Sequence, residues 1–299
     1  MALGGLSVPL PTLFGPDGAL DLSRNTRFAR TISEAGADHL FVLGSLGEFP
    51  SVTDAERPRL VDVVVESTIG STDVWVGCGA PSTRQAVAYA GAAELAGAAA
   101  IVAVPPYYLR PTPDAIERYY RAIHDAIRIP LFAYNIPSLV GYPLDPGLVH
   151  RLAREGVLAG AKDTAGSLTS VAAMIAGAPE GFSVLPGDDA LAASAIEGGA
   201  KGAVMGTANV VPRLCVELVA AALGGNRARA AELQSLVDAL VEAIHAGPFP
   251  SVDKFLANRL RGAEVGYRSP YDPLTAEEEA RVLARLTPIE DRLRPFLKK

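Results

Sequence analysis

One stretch of the chain contains a complete strand–helix–strand unit and therefore decides the fold. Residues 129–164 read IPLFAYNIPSLVGYPLDPGLVHRLAREGVLAGAKDT. The apolar run Leu131–Asn135 predicts a strand covered on both faces, Pro146–Arg154 has the spacing of a short helix, and Leu158–Lys162 predicts a second strand. Two strands that are joined through a helix in this way run parallel to each other.

The same alternation continues on both sides of this unit. The further predicted strands are Leu6–Leu10, Leu40–Leu43, Val74–Cys78, Ala100–Val104, Ser183–Pro186 and Gly202–Met205. The further predicted helices are Ser23–Ala35, Asp54–Ile69, Thr83–Leu95, Pro113–Ile127, Leu168–Ala176 and Ala190–Glu197, with Thr53 and Ser82 as N-caps. Eight strands that alternate with helices predict an α/β fold of the (β/α)8 TIM barrel type. The rival is an open doubly wound sheet, which would call for a G-x-G-x-x-G motif after the first strand, and that motif is absent.

Further helices follow the eighth predicted strand. They are Arg213–Leu223, Arg227–His245, Val252–Leu260 and Ala276–Leu293. One of them closes the barrel, so we expect residues 1–224 to form the barrel and residues 225–299 to form a helical extension packed on it. Thr275, followed by three glutamates, is a strong N-terminal signal for the last helix.

The composition excludes several classes of function. The 299 residues are 49% hydrophobic and 20% charged, which is typical of a folded soluble protein rather than a disordered one. A net charge of −6 disfavours nucleic acid and anionic membranes as partners, because both require a basic surface. Cys78 and Cys215 are the two cysteines and form no C-x-x-C motif, so we expect a reducing, cytoplasmic location.

The active groups of such a barrel lie where its strands end. The predicted strand ends carry the segments Gly44–Phe49, Pro105–Pro111, Tyr134–Gly141, Gly160–Thr164, Pro186–Asp189 and Met205–Asn209. One lysine, tyrosines from two strand ends and a Gly/Ser turn should therefore converge on one mouth.

Lys162 is the sharpest of these signals. Only five of the 27 basic residues are lysines, and this one ends the apolar segment VLAGAK. Because burial of an ammonium ion is costly, a lysine in such a place favours the neutral amine, which attacks ketones to form Schiff bases. The alternative is a strand-end lysine that pairs with Asp163, and spacing alone favours that alternative.

Two other strand ends could assist such a lysine. If the fifth and sixth strands are neighbours, the Tyr134 hydroxyl can approach Lys162 and shuttle protons, although a barrel-filling tyrosine is the commoner role. The turn GSLGE, residues 44–48, has free amides that can hold a carboxylate, although it could also be an ordinary turn. Tyr107 and Tyr108 form an aromatic pair that more often serves packing or an interface than catalysis.

The sequence evidence for a metal site and for a sugar-phosphate site is weaker. Asp188 and Asp189 could suggest a metal, but the four histidines, His39, His124, His150 and His245, lack ligand spacing, so we expect no metal and no other cofactor. A non-covalent sugar-phosphate site in the loops after strands seven and eight is the alternative from another class. The two aspartates beside that site argue against it.

Taken together, these motifs resemble the dihydrodipicolinate synthase / N-acetylneuraminate lyase superfamily of class I, pyruvate-handling aldolases. The resemblance covers almost the whole chain through PLPTLF, GSLGE, PPYYLRP, YNIPSLVG, GAKDT, GDD and GGAKGAVMGTAN. It implies a barrel without a cofactor, pyruvate as a substrate and a homotetramer built as a dimer of dimers.

The resemblance also implies roles for individual residues. Lys162 matches the imine-forming lysine, and Tyr134 matches the tyrosine that relays protons. Ser45 matches the first hydroxyl of the family's turn, and Tyr108 matches a tyrosine lent across a subunit interface. The matching pyruvate-binding positions are Leu46, Gly47, Gly187 and Val204.

Two departures bear on the second substrate. Leu46 replaces the second hydroxyl of the turn, which puts the relay through Tyr108 in question. Leu139 replaces an arginine that holds the acceptor's carboxylate in the synthases, and leucine cannot bind a carboxylate. This argues against aspartate semialdehyde as the acceptor.

The C-terminal part resembles one branch of the superfamily. Gly266–Val282, together with the KDT of residues 162–164, is similar to the 2-keto-3-deoxygluconate aldolases, in which Thr164 and Asp189 would lie near sugar hydroxyls. We therefore expect a 2-keto-3-deoxy sugar acid to be split to pyruvate and an aldehyde such as glyceraldehyde. The alternatives are a 4-hydroxy-tetrahydrodipicolinate (dihydrodipicolinate) synthase and a Schiff-base dehydratase or hydratase-aldolase.

Overall fold

A computed structural model describes residues 3–297, and eight parallel strands organise them. The strands are β1 (Gly5–Pro9), β2 (His39–Val42), β3 (Asp73–Gly77), β4 (Ala100–Ala103), β5 (Leu131–Asn135), β6 (Gly160–Asp163), β7 (Ser183–Pro186) and β8 (Gly202–Val204). Strands β1 to β7 are paired in chain order, and β1 also pairs with β8. The backbone N–H of Lys201 donates to the carbonyl of Val184 over 3.0 Å and brings β8 to β7, which closes the ring. The predicted TIM barrel is therefore confirmed.

Helices connect the strands and continue beyond them. They are α1 (Leu22–Glu34), α2 (Glu56–Thr68), α3 (Thr83–Leu95), α4 (Pro113–Ala126), α5 (Pro137–Val140), α6 (Pro146–Arg154), α7 (Leu168–Ala176), α8 (Ala192–Glu197), α9 (Pro212–Leu223), α10 (Arg227–Ile244), α11 (Ser251–Arg261), α12 (Ala276–Leu286) and α13 (Glu290–Leu293). Single 3₁₀ turns cover Phe49–Ser51, Asp189–Leu191, Gly206–Asn209, Thr287–Ile289 and Arg294–Phe296. Helices α10 to α13 form the C-terminal extension, whose boundary at residue 225 remains a prediction.

Large aromatic side chains fill part of the core between the strands. Trp75 on β3 is buried, with its ring centroid 4.3 Å from that of His39 on β2 and 4.6 Å from that of Phe132 on β5. Full burial of one such side chain contributes about 1.5–3 kcal/mol. This packing fixes the strands relative to one another and hence the residues at their ends.

The predicted last helix is wrong in its extent. Residues 276–293 form α12, a 3₁₀ turn at Thr287–Ile289 and α13, rather than one helix. Pro288 lacks the N–H that a continuing helix needs, which explains the interruption. The N-terminal signal at Thr275 is confirmed, because Thr275 and Glu278 form a reciprocal capping box.

Two predicted N-caps also need correction, although the start of α3 at Thr83 is confirmed. Helix α2 begins at Glu56, so Thr53 is not its N-cap; instead the backbone N–H and the hydroxyl of Thr53 both donate to the Glu56 carboxylate. Ser82 lies at the N-cap position of α3, but its side chain accepts no capping hydrogen bond. The short helix α5, inside the YNIPSLVG segment, was not predicted because four residues leave no period to detect.

Within residues 3–297, no helix combines the length and the apolar character needed to cross a bilayer.

Candidate active site

A cavity of about 630 Å³ opens at the carboxyl ends of the strands. Strand ends and the C-terminal extension both contribute to its wall. The lining includes Ser45, Leu46, Tyr134, Lys162, Thr164, Gly187, Asp188, Asp189, Val204, Thr207, His245, Phe249 and Asp253. Of the residues predicted from the sequence, Tyr108 and Gly47 are the two that do not line it.

Lys162 and Tyr134 face each other because β5 and β6 are neighbours. Their Cα atoms are direct partners in the parallel register. The Nζ of Lys162 lies 4.0 Å from the centroid of the Tyr134 ring and 5.2 Å from that of Phe41. Both side chains are buried, with 6% of Lys162 and 3% of Tyr134 exposed. The amine is therefore held in an aromatic pocket at one end of the cavity.

Asp163, the alternative partner for Lys162, has partners of its own. Its carboxylate accepts hydrogen bonds from the Asn135 amide over 3.2 Å, the Ala165 N–H over 2.9 Å and the Ser170 hydroxyl over 2.7 Å. Adjacent residues of a strand point to opposite faces, so Asp163 is directed away from the Lys162 side chain. This geometry disfavours the simple strand-end ion pair.

Gly187 provides the space that the lysine side chain occupies. A Cβ atom built on Gly187 would lie 2.6 Å from Cε of Lys162 and 2.1 Å from Oγ1 of Thr164. Any side chain at this position would displace both groups. The predicted role of Gly187 as a wall of the pocket therefore has a steric basis.

The neighbours of Tyr134 change the pKa of its phenol. Burial raises the pKa of its phenol, but the positive charge of Lys162 and the polar groups of Lys162, Ser45 and Thr164 beside it outweigh burial and lower the pKa below its usual value. The Ser45 hydroxyl lies 3.5 Å from the Tyr134 hydroxyl, a long hydrogen-bonding distance. A phenol with a lowered pKa exchanges protons more readily near neutral pH.

The turn of residues 44–48 presents free amides to the cavity. Within the described part of the chain, no carbonyl or side chain accepts a hydrogen bond from the N–H groups of Ser45 and Leu46. The Thr12 hydroxyl donates to the Gly47 carbonyl over 2.6 Å and so holds the turn in place. Gly47 thus supports the turn, and the amides before it can receive a carboxylate.

A buried ion pair fixes the end of the same turn. Glu48 has the left-handed backbone φ of 52° and lies 2.5 Å from the amine of Lys254 on α11. Lys254 also donates to the Gly266 carbonyl over 2.9 Å. Lys254 is thus a second buried lysine, but it is paired and does not line the cavity.

Tyr108 lies outside the cavity in this chain. It is 93% exposed, has a positive φ of 74°, and is followed by the exposed Leu109. Tyr107 is partly buried instead, with its ring centroid 5.8 Å from that of Phe49. A catalytic role for Tyr108 would require a second subunit and stays a prediction.

Leu139 also lies outside the main cavity. It is on α5, half exposed, and lines a smaller apolar groove of about 350 Å³ beside Ser45. Arg110, another possible source of positive charge, lies with its guanidinium carbon 5.3 Å from the Tyr142 ring centroid and does not line the cavity.

Sequence analysis missed Asp253, which the extension contributes to the cavity. Only 3% of this residue is exposed. Burial raises the pKa of its carboxyl to about 8, and the negative charge of Asp189 adds to the shift. The signal was available, because Asp253, Leu256 and Ala257 follow helical spacing on the buried side of α11.

Asp189 lies at the predicted place, at the end of β7. Its Oδ1 accepts from the Gly206 N–H over 3.1 Å and its Oδ2 from the Thr207 N–H over 2.7 Å. Burial nevertheless raises the pKa of this carboxyl. Carboxyl groups at the ends of β7 and on α11 make this wall unsuited to a phosphate.

Among residues 3–297, no group of three His, Cys, Asp or Glu side chains is arranged to hold a metal ion.

Comparisons with known proteins show the family of this chain. The model of the dihydrodipicolinate synthetase family matches residues 2–289. The 4-hydroxy-tetrahydrodipicolinate synthase of Azoarcus sp. (strain BH72) is 34% identical over 282 residues, which cover 94% of this chain and 97% of the relative. An uncharacterized DapA-like lyase of Halobacterium salinarum is 37% identical over 287 residues, which cover 96% of this chain and 94% of the relative.

Solved structures give the same result. The complex of pyruvate with YagE, a member of the dihydrodipicolinic acid synthase family from E. coli K12, has a TM-score of 0.92 and 29% identity, covering 98% of this chain and 99% of that one. The dihydrodipicolinate synthase from Aquifex aeolicus has a TM-score of 0.92 and 28% identity, covering 99% of this chain and 100% of that one.

Proposed function

The chain belongs to the dihydrodipicolinate synthetase family, and from this premise we propose that it is a class I lyase that forms a Schiff base between Lys162 and pyruvate. One observation carries the proposal. The buried amine of Lys162 ends β6 with its Nζ 4.0 Å from the centroid of the Tyr134 ring, inside a cavity of substrate size. Such an amine is placed to attack a 2-oxo acid.

The side chains around the amine suit each step of the reaction. The amine adds to the ketone carbon, and Tyr134 returns the proton that the departing hydroxyl needs to leave as water. The resulting imine withdraws electrons from the adjacent bond, so C3 of bound pyruvate can lose a proton to the Tyr134 oxygen and add to an aldehyde, whose oxygen takes up that proton as it becomes a hydroxyl. In the reverse direction the same imine accepts the electrons of the cleaved carbon–carbon bond. The amides of Ser45 and Leu46 hold the pyruvate carboxylate.

Covalent trapping tests this proposal. The protein is incubated with pyruvate and borohydride, and the adduct is mapped by mass spectrometry. We expect one adduct, on Lys162, and its loss in Lys162→Ala. Lys201→Ala, which alters an exposed lysine before β8, is the control and should trap normally. No adduct, or an adduct on the buried Lys254, contradicts the proposal.

For the second substrate we propose an uncharged, hydroxylated aldehyde, which is released when a 2-keto-3-deoxy sugar acid is cleaved and which condenses with pyruvate to form that acid in the reverse direction. The wall of the cavity supports this choice, because it carries Asp188, Asp189 and Asp253, and its one lysine or arginine among the described residues is Lys162. Thr164 adds a hydroxyl beside the amine. Hydroxyl groups can both donate to and accept from such a wall. A dehydratase or hydratase-aldolase would use the same imine.

The second candidate is 4-hydroxy-tetrahydrodipicolinate synthase. The names of the relatives support it more directly than they support cleavage of a sugar acid. Its acceptor, aspartate semialdehyde, carries a carboxylate, and Leu139 stands in this chain where the resemblance to the synthases implies an arginine for that carboxylate. The two candidates are separated by kcat/KM for pyruvate with glyceraldehyde against pyruvate with aspartate semialdehyde. We expect glyceraldehyde to be preferred; a preference of about tenfold or more for the semialdehyde makes the chain a synthase.

Assembly and location belong to the same proposal. A homotetramer built as a dimer of dimers would cover the exposed Tyr108 and Leu109, and light scattering on a sizing column measures it. Both cysteines are free and buried, which suits a cytoplasmic protein.

A further inference from the structure

Asp253 lines the cavity, and one oxygen of its carboxyl group has no hydrogen-bond partner. The residue lies on α11, lines the same cavity as Lys162 and is 3% exposed. Its Oδ2 is buried without a hydrogen-bond partner. A buried polar atom without a partner is costly, so such an atom in a cavity wall indicates a ligand group that completes it.

The neighbouring carboxyl of Asp189 is already engaged. Both of its oxygens accept backbone N–H groups, from Gly206 and Thr207. A Cβ atom built on Gly206 would lie 3.9 Å from Oδ1 of Asp253 and 4.0 Å from Oδ2 of Asp189, so the two carboxyls flank the same glycine. Asp253 therefore provides the free binding atom, and Asp189 provides a fixed neighbouring charge.

The groups around Asp253 keep its carboxyl protonated at neutral pH. Lys254, the next residue, directs its amine to Glu48 and to the Gly266 carbonyl and is engaged there. The other titratable groups of this part of the wall are Asp188, Asp189 and His245. A carboxyl whose pKa is raised to about 8 by burial and by Asp189 is mainly neutral at pH 7. A neutral carboxyl both donates and accepts a hydrogen bond.

We propose that Asp253 binds a hydroxyl group of the substrate carried by the aldehyde part, and that it thereby makes the enzyme select hydroxylated aldehydes. The inference rests on the proposed Schiff-base function, because it assigns the group that recognises the second substrate of that reaction. It places this recognition on the C-terminal extension rather than on the barrel, so the extension takes part in the choice of substrate.

The test compares glyceraldehyde with propanal, which lacks the hydroxyl groups, in condensation with pyruvate. Asp253→Val removes both the donor and the acceptor at similar volume. We expect kcat/KM for glyceraldehyde to fall roughly tenfold, the effect of about one lost hydrogen bond, while the value for propanal changes less than about twofold. Asp253→Asn keeps a donor and an acceptor and should retain the preference within about threefold. Asp125→Asn, on the exposed side of α4, is the matched control.

The pH dependence of the preference for glyceraldehyde over propanal distinguishes substrate binding from a purely structural role, because a structural role would not change that preference with pH. The ratio of kcat/KM for the two aldehydes cancels the titration of Lys162 and Tyr134, which act on both. In the wild type this ratio should fall above about pH 8, where Asp253 loses its donor proton. In Asp253→Asn the ratio should stay flat across the same range.

Several results would overturn the inference. Equal losses for both aldehydes in Asp253→Val indicate a structural role, and no loss for either places the hydroxyl elsewhere. A loss in Asp253→Asn as large as in Asp253→Val shows that recognition needs an ionised carboxylate rather than a protonated carboxyl group. Borohydride trapping and thermal unfolding of each variant establish that it is folded and forms the imine. If the wild type traps no pyruvate, the proposed function itself fails; if it traps normally and the ratio is unchanged, only the role of Asp253 fails.

Discussion

The contribution of Tyr134 can be measured separately from that of Lys162, although the Lys162 amine lies 4.0 Å from the centroid of the Tyr134 ring. The phenol is buried and its hydroxyl lies 3.5 Å from that of Ser45. Tyr134→Phe keeps the ring that packs against the amine and removes the proton relay. We expect kcat for cleavage or condensation to fall roughly 100- to 10,000-fold, the range for a lost general acid–base. Steady-state kinetics measure this.

The control for this substitution is Tyr89→Phe, on α3 outside the cavity, which should leave kcat unchanged. Tyr134→Phe should still form the borohydride-trapped adduct, only more slowly, and should unfold at a similar temperature. Turnover close to that of the wild type would show that Tyr134 only fills the barrel.

These individual residues differ in how well a sequence can reveal them. Lys162 and Tyr134 could be predicted because both end strands, and the ends of neighbouring parallel strands meet at one face of a barrel. Asp253 could not be predicted in the same way. It reaches the cavity through the packing of the extension on the barrel, which strand periodicity does not specify. The resemblance assigned Tyr108 to the site, but in a single chain this side chain is exposed and does not line the cavity.

The turn after β2 and helix α11 are coupled through Glu48 and Lys254. Both side chains are 1% exposed, and their charged atoms lie 2.5 Å apart. Removal of one partner leaves an uncompensated buried charge, so Lys254→Met should lower the free energy of unfolding by about 3–5 kcal/mol. Because Glu48 ends the turn that offers the Ser45 and Leu46 amides, the KM for pyruvate should also rise. Chemical denaturation and steady-state kinetics measure these two effects.

The double variant Glu48→Gln/Lys254→Met distinguishes charge from packing. It replaces both ions, so it should be more stable than Lys254→Met alone. If the double variant loses as much stability as the sum of the two single variants, the pair does not interact as the geometry indicates.

Two helix starts with similar sequence signals behave differently and provide a matched pair. The Thr275 side chain accepts from the Glu278 N–H and completes a capping box at α12, whereas Ser82 at α3 makes no side-chain cap. Thr275→Ala should therefore lower the free energy of unfolding by about 0.5–2 kcal/mol, and Ser82→Ala by less. Denaturation curves of both variants test this. Equal effects would mean that the capping bond contributes nothing to stability.

The elements of this fold were predictable to different degrees. The buried strands have continuous apolar runs with clear ends, and their predicted positions agree with the structure to within two residues, as at β6. Helix ends depend on single hydrogen bonds and single prolines. The interruption at Pro288 and the start of α2 at Glu56 therefore escaped a reading based on periodicity.

The stability of the whole molecule should also depend on pH through Asp253. The pKa of its carboxyl is about 8 in the folded chain, against 3.8 as the usual value. The folded state therefore holds a proton that the unfolded chain releases, so the stability linked to this group is fully present below about pH 4 and is lost as pH rises through 8. Asp253→Asn, which cannot ionise, should be about as stable as the wild type at pH 4 and increasingly more stable than it up to pH 8. Denaturation curves at several pH values measure this difference. A difference that stays constant with pH would mean that Asp253 is ionised and compensated in the folded protein, and a protonated carboxyl could then not serve as the hydroxyl-binding group of the cavity.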